Sequence, residues 1–389
     1  MKFEAERDIF AEAVAWTARS LPGRPAAPVL AGLLFEASDR GSVSVSGFDY
    51  DTSGRAGITA EVGEPGRLLV HGKLLADIAK SLPDRPVRIV SEGSKVLLSC
   101  GSSQFALRTL PVEDYPELPG MPGATGTVAG SDLAKAVAQV AVAAARDDTV
   151  PMLTGIRIEI DGDTLTLVST DRFRLAYREL PWQPDADCPA TTALLPAKVM
   201  AAAARALAGR DRVTLALDGG QSGAGLIGFA SQDHPRGPRQ MTSRLLSGEF
   251  VKYRSLFASV YATTATVETA PFLAAAKRVS LVAERTSPIR LAFARGTLSL
   301  QAGAGDEAQA SESVEAVLTG EDTTASFNPA FLLDGLQVID TPYAQLSFTA
   351  PGKPTVLMPR QSLDVPARDD FRYLMLPLKA PRASGAGPA

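Results

Sequence analysis

The 389-residue chain holds two cysteines, two histidines and two tryptophans, and aromatic residues make up 6% of it. Cys100 and Cys188 are far apart and form no metal-ligand spacing. A disulfide framework and a zinc knuckle therefore drop out, and two reduced structural thiols in a cytoplasmic protein are expected. His71 and His234 sit beside no nucleophile and in no His-Glu-x-x-His pattern, which leaves little for imidazole catalysis. The Gly-x-x-x-x-Gly-Lys-Ser/Thr phosphate loop is missing as well. No apolar run approaches a membrane span, and Met1-Lys-Phe-Glu reads as the start of a strand rather than of a leader. An excess of basic charge is also lacking. Lys and Arg total 39 against 43 Asp and Glu, a net charge of −4, which argues against a chain that simply coats nucleic acid.

Repetition is what the chain does have. Pro28-Val-Leu-Ala-Gly-Leu-Leu-Phe leads to Ser42-Val-Ser-Val-Ser-Gly-Phe-Asp49. Pro151-Met-Leu-Thr-Gly-Ile-Arg-Ile leads to Thr164-Leu-Thr-Leu-Val-Ser-Thr-Asp171, and Pro288-Ile-Arg-Leu-Ala-Phe leads to Thr297-Leu-Ser-Leu-Gln-Ala-Gly. Each alternates apolar and polar residues around a short turn, the pattern of a hairpin with one buried face. A helical pattern precedes each hairpin (Glu12–Leu21, Lys135–Ala144, Leu273–Val282), and another follows it (Val70–Leu82, Leu195–Leu207, Phe327–Ile339). Pro196 and Pro329 stand where a first helical turn tolerates proline. The spacing exceeds any solenoid unit, so the repeat is a whole α+β domain. Three domains are expected, at 1–125, 126–257 and 258–379, followed by a disordered Ala/Gly/Pro tail at 380–389. A hydrophobic content of 45% suffices for three cores.

Charge placement says more than charge total. Lys73 and Lys80 share one face of a second helix, and Lys198 and Arg205 occupy the same positions in the next repeat. The third copy has Ala330 and Gln337 there. First helices and their links add Arg7, Arg19, Lys135, Arg146, Lys277 and Arg278. A solvated helix face, with Asp77 four residues from Lys73, explains each helix alone. Recurrence on equivalent helices points to one shared basic surface.

Other motifs are weaker. Gly223-Ala-Gly-Leu-Ile-Gly228 matches a dinucleotide fingerprint, but a strand follows it where a helix is required, so a hairpin loop is expected. Asp147-Asp148 lacks a third carboxylate for a metal. Ser169-Thr-Asp-Arg-Phe-Arg-Leu-Ala176 interleaves arginines with apolar residues; its plain reading is a strand with alternate faces. Three functional classes follow: a binding ring or platform, an enzyme on a repeated scaffold, and a pure interaction scaffold.

Taken in order, Met1-Lys-Phe, Gly23-Arg-Pro, Pro111-Val-Glu-Asp-Tyr-Pro116, Leu153-Thr-Gly155, Thr170-Asp-Arg-Phe-Arg-Leu175, Phe250 with Tyr253-Arg254, and Tyr373-Leu-Met-Leu-Pro-Leu378 resemble the bacterial DNA polymerase III β subunit, the sliding clamp, in its actinobacterial form. The resemblance implies a non-enzymatic processivity factor without a cofactor. Two chains would close head to tail into a pseudo-sixfold ring, with helices lining a hole for duplex DNA and sheets outside. Arg24 and the Arg146 loop would reach DNA, with Lys73, Lys80, Lys198 and Arg205 as lining candidates. A pocket for short linear motifs of the replicative polymerase, clamp loader and repair proteins would use Leu153, Thr170, Arg172, Arg174, Leu175, Val251, Leu256, Leu374, Leu376, Pro377 and Leu378. Phe105 would meet Leu281 and Val282 of the other chain. Val251 departs from the family's usual proline, and Tyr253 is bulkier than expected. Altered pocket specificity follows, for example tolerance of a pocket-blocking natural product.

Overall fold

The computed structural model describes residues 1–378 except 40, 187, 219–224, 233–236, 284–286 and 304–307. Gly223 and Ala224 of the expected hairpin loop, His234 and the expected tail at 380–389 lie outside the described residues.

Six α-helices are described: α1 (Arg7–Thr17), α2 (Gly72–Ser81), α3 (Gly130–Ala141), α4 (Ala197–Leu207), α5 (Thr269–Val279) and α6 (Pro329–Gln337). They alternate as the sequence suggests, but α1, α3 and α5 begin earlier than the apolar runs that announced them. Each starts directly after a strand, at Lys2–Ala5, Ala124–Val128 and Thr263–Glu268. Phe10, Leu133 and Phe272, each fully buried, anchor the first turns. Pro329 opens α6, where its missing N–H is no loss, and the Asn328 side chain accepts the Ala330 N–H at 2.9 Å. Pro196 stands one residue before α4. At α2, His71 caps the helix by accepting from the Leu74 N–H at 3.4 Å.

The chain gathers into two compact units. The first comprises Met1–Ala134, Ile160–Asp163 and Pro181–Leu246; the second comprises Lys135–Glu159, Thr164–Leu180 and Ser247 onward. Unit one carries a 14-stranded antiparallel sheet. Its middle runs Arg239–Arg244, Thr52–Thr59, Ser42–Phe48, Gly32–Ala37, Gly66–His71 and Ser103–Leu110. Unit two orders Arg174–Pro181, Phe371–Met375, Thr355–Arg360, Tyr343–Phe348, Thr263–Glu268, Ala310–Thr319, Gly296–Ala302, Ile289–Ala294 and Thr323–Phe327. The first and third expected hairpins pair in the registers Leu34↔Ser46 and Leu291↔Leu300. Alternation puts Phe35 inward, where it stacks on Phe3 and Phe10 at 6.2 and 6.1 Å. Phe293 also points inward, its ring tilted against Phe348 at 5.4 Å. Each such ring contributes about 1.5–3 kcal/mol by leaving water. Among the described residues, no helix is long and apolar enough to cross a membrane.

Candidate functional site

The turn after the second hairpin organises the site. Asp171 caps it, accepting the Phe173 and Arg174 N–H groups at 3.0 Å each. Thr170 donates its hydroxyl to the Arg174 carbonyl at 2.6 Å and accepts the Arg172 N–H at 3.2 Å. Arg172 takes φ of 79°, a left-handed conformation that is strained for a non-glycine residue. Arg172 and Phe173 consequently stand out in solvent while Arg174 turns inward to 4% exposure.

Arg174 is the hub of unit two. Its guanidinium donates to Asp171 at 2.9 Å, to Asp334 at 2.7 Å and to the Tyr373 hydroxyl at 3.2 Å. It also lies 4.3 Å from the centroid of Phe331. Burial opposes its charge, but Tyr373, Asp334 and Asp171 outweigh burial, so the guanidinium holds its proton more firmly than usual. Tyr373, whose phenol burial pushes upward in pKa, donates to the Phe331 carbonyl at 2.9 Å. A glycine makes that approach possible: a Cβ on Gly335 would meet the Tyr373 ring at 2.5 Å. Phe173 stacks on Phe331 with centroids 6.4 Å apart.

A cavity of about 500 Å³ opens beside this hub, lined among others by Leu153, Arg172, Phe173, Arg174, Phe331 and Asp334. Arg146, assigned above to DNA, lines the same cavity, with its exposed guanidinium 3.5 Å from Asp334. On the neighbouring strand, Leu175 faces Leu374, and both are buried. The Leu376 N–H donates to the Phe173 carbonyl at 2.9 Å and the Leu378 N–H to the Ser326 carbonyl at 2.7 Å. These bonds hold Leu376, Pro377 and Leu378 at the surface, where the two leucines are 38% and 40% exposed.

Val251 and Leu256 are also exposed, at 39% and 48%, and flank a firmly held segment. Tyr253 between them is buried; it donates to Glu159 at 3.0 Å and packs on Tyr177 at 5.9 Å. Arg254 donates to the same carboxylate at 2.8 Å, and Arg157 pairs with it at 2.7 Å. Burial works against ionised Glu159, yet Arg254, Arg157 and Tyr253 together hold its carboxyl below the usual range. All eleven expected pocket residues fall within unit two, but of them only Leu153, Arg172 and Arg174 line the cavity beside the hub. Sequence reasoning missed Phe173, Phe331, Asp334 and Tyr373 as partners of Arg174. The one local signal was Phe331 and Asp334 at i and i+3 on α6, which places them on one helix face.

The expected basic residues of unit one are exposed: Arg24, Lys73 and Lys80 on and beside α2, Lys198 and Arg205 on α4. Lys73 donates to the Gly23 carbonyl at 3.4 Å, next to Arg24. Burial lowers the pKa of Arg19, Glu12 opposes that, and the Arg205 charge adds to it, so Arg205 lies within electrostatic reach of Arg19. Two other helix cations are spoken for: Lys135 pairs with Asp340, and Arg278 forks onto Glu312. Phe105 is half-buried on the strand Ser103–Leu110, Leu281 is 84% exposed, and Val282 is half-buried.

Three family signatures match in succession: the N-terminal domain of the DNA polymerase III beta subunit over residues 1–119, its central domain over 127–252 and its C-terminal domain over 254–378. The beta sliding clamp of Streptomyces coelicolor is 53% identical over 379 residues, covering 97% of this chain and 99% of that protein. The beta sliding clamp homolog GriR of Streptomyces muensis is 41% identical with the same coverage. Among solved structures, the sliding clamp of Pseudomonas aeruginosa bound to griselimycin superposes with a TM-score of 0.87 at 26% identity, covering 98% of this chain and 100% of that one.

Proposed function

The chain belongs to the bacterial DNA polymerase III beta subunit family, and from that premise we propose that it is a non-catalytic sliding clamp that encircles duplex DNA and tethers polymerase to it. The succession of three beta-subunit domains along residues 1–378 carries this reading. A clamp needs loose, sequence-independent phosphate attraction, which screened cations on exposed helices supply. Arg24, Lys73, Lys80, Lys198 and Arg205 serve that role, joined by Arg146. An acidic chain does so without contradiction, since only the surface facing the phosphates must be positive.

Ring closure as a head-to-tail homodimer is supported by two open strand edges. Ser103–Leu110 pairs with Lys95–Cys100 along one side, but on its other side, among the described residues, only Thr109 and Leu110 are paired. Ala310–Thr319 pairs with Gly296–Ala302, while its opposite edge, among the described residues, is paired only over Ala316–Thr319. Each open edge would add to the other in a second copy, with Arg108 facing Glu312 and Glu315 and with Phe105 meeting Leu281 and Val282.

Partner proteins dock through the unit-two pocket. Exposed Leu256, Leu376, Leu378 and Phe173 suit apolar anchors of an extended peptide, and Arg172 offers a polar contact at the rim. Polymerase, clamp loader and repair proteins compete for this site by short linear motifs. Val251, with the N–H donor that proline would lack, shifts which motif peptides and which natural-product ligands fit.

Retention on DNA tests the reading. Loaded protein stays on nicked circular DNA and leaves within minutes once that circle is linearised. Equal loss from circles and linear fragments overturns it, and would favour an interaction scaffold without a DNA role.

A further inference from the structure

Unit one repeats the pocket's backbone bond for bond. Asp49 accepts the Asp51 and Thr52 N–H groups at 3.0 and 2.5 Å, as Asp171 accepts those of Phe173 and Arg174. Tyr50 takes φ of 75° where Arg172 takes 79°. The Arg244 N–H donates to the Asp51 carbonyl at 2.8 Å, matching Leu376 and Phe173, and the Leu246 N–H donates to the Leu194 carbonyl at 2.7 Å, matching Leu378 and Ser326. The strand registers agree too: Ser53 faces Thr242 as Leu175 faces Leu374. Leu30 and Leu153 hold the third position of equivalent short turns, and both are buried.

The side chains differ where a peptide would sit. Thr170 is replaced by Phe48, which is buried in one cluster with Val29, Leu34, Leu69 and Tyr115. Its ring also meets Tyr50 edge-on at 5.6 Å. The leucine floor becomes a pair of hydroxyls, Ser53 and Thr242, 2.6 Å apart. Where Leu376 offers an apolar wall, Arg244 folds over the turn and donates to the Tyr50 carbonyl at 3.0 Å. A benzyl ring in place of a hydroxyethyl group fills the space an apolar anchor needs, and a hydroxyl floor gives that anchor nothing to bury against.

We infer that unit one holds a second, closed copy of the peptide pocket, occupied by Phe48 and floored by Ser53 and Thr242, so that each chain presents a single peptide site. The inference rests on the unit-two pocket binding apolar linear motifs. Phe48 is therefore a specificity-determining residue: it decides which of two equivalent frames accepts a partner. Exchanging the differing side chains converts the closed frame into a working site for the same ligand class, a short peptide with Leu and Phe anchors.

The test titrates the intact protein with a fluorescein-labelled pentapeptide carrying a leucine and a C-terminal phenylalanine. Unmodified protein binds one peptide per chain. The exchange Phe48→Thr, Ser53→Leu, Thr242→Leu and Arg244→Leu raises this to two, and the unit-two site, unchanged in affinity, reports that the fold is intact. The smaller exchange Phe48→Thr with Arg244→Leu keeps the Ser53–Thr242 bond and gives a weaker second site. The reciprocal exchange in unit two, Thr170→Phe with Leu175→Ser and Leu374→Thr, lowers peptide affinity about a hundredfold while the Asp171 turn persists. Two peptides on the unmodified chain, a folded exchange variant that still binds one, or a reciprocal variant that keeps its affinity overturns the inference. No binding to the unmodified chain at all refutes instead the pocket reading on which it rests.

Discussion

Replacing Arg174 by methionine is the most direct probe of how unit two holds its site. Methionine nearly matches the length of the stem and keeps apolar contact with Phe331, but it removes every hydrogen bond and the charge. Arg174 is 4% exposed, and its two carboxylate partners, Asp171 and Asp334, are 14% and 21% exposed. Breaking a buried ion pair by deleting one partner ordinarily costs about 3–5 kcal/mol, mainly because the remaining charge is stranded. Water reaches both carboxylates here, and Arg146 stays near Asp334 at 3.5 Å, so the lower end, about 3 kcal/mol, is expected. Removing the stranded charge as well, in Arg174→Met with Asp334→Leu, recovers about 2 kcal/mol of that loss. Native-state hydrogen exchange at the Phe371–Met375 amides reports the local stability directly, whatever unit one does. A loss below about 1 kcal/mol in the single variant, or an additive double variant, refutes the claim that Arg174 is the hub.

Four other outcomes follow. Phe105→Ala weakens the dimer by about 2 kcal/mol, roughly a thirtyfold rise in dissociation constant by sedimentation equilibrium; an unchanged constant removes Phe105 from the interface. Val251→Pro changes the affinity of the pocket for motif peptides, for griselimycin or for both, by fluorescence polarisation; no change in either sinks the assignment of specificity to Val251. Lys73→Ala with Lys80→Ala flattens the slope of log DNA retention against log salt by about one to two, whereas an unaltered slope places both residues away from phosphate. Glu159 has a folded pKa below its ordinary value, so its contribution is complete above the normal carboxylate range and disappears as pH falls through the lowered value. Exchange protection of the Tyr253–Leu256 amides therefore drops as the solution is acidified below about pH 4, and Glu159→Gln abolishes that dependence; protection that is flat with pH in the parent protein contradicts a role for ionised Glu159 in holding that segment.

Much of the fold was legible because period-two and helical patterns are local. Ser42–Phe48 and Thr164–Thr170 alternate visibly, and the strands appear where the alternation is. Helix starts were less legible. The apolar run of α3 is plain from Lys135, but its first turn is set by Gly130, which lies so close to the Leu207 carbonyl that a Cβ would approach it to 2.1 Å. The candidate site was legible only in part. Thr170, Arg174 and Leu175 lie on one short motif, whereas Asp334, the partner that neutralises Arg174, is 160 residues away.

By itself the sequence determined that this protein is a threefold repeat of one α+β domain, with cations recurring on matching helices and an ordered set of clamp-family motifs. Tertiary structure alone decided what surrounds each copy of the repeated turn. Phe48 and Thr170 occupy equivalent backbone positions, and neither residue type announces open or closed space. Phe48 closes its frame because Val29, Leu69 and Tyr115 arrive from other strands and loops to bury it. Thr170 is buried within its own turn, its hydroxyl on the Arg174 carbonyl, while Asp334 and Tyr373 hold the Arg174 side chain inward. Local pattern specifies an element and its faces, but which side chains meet across it depends on register and packing between segments distant in the chain.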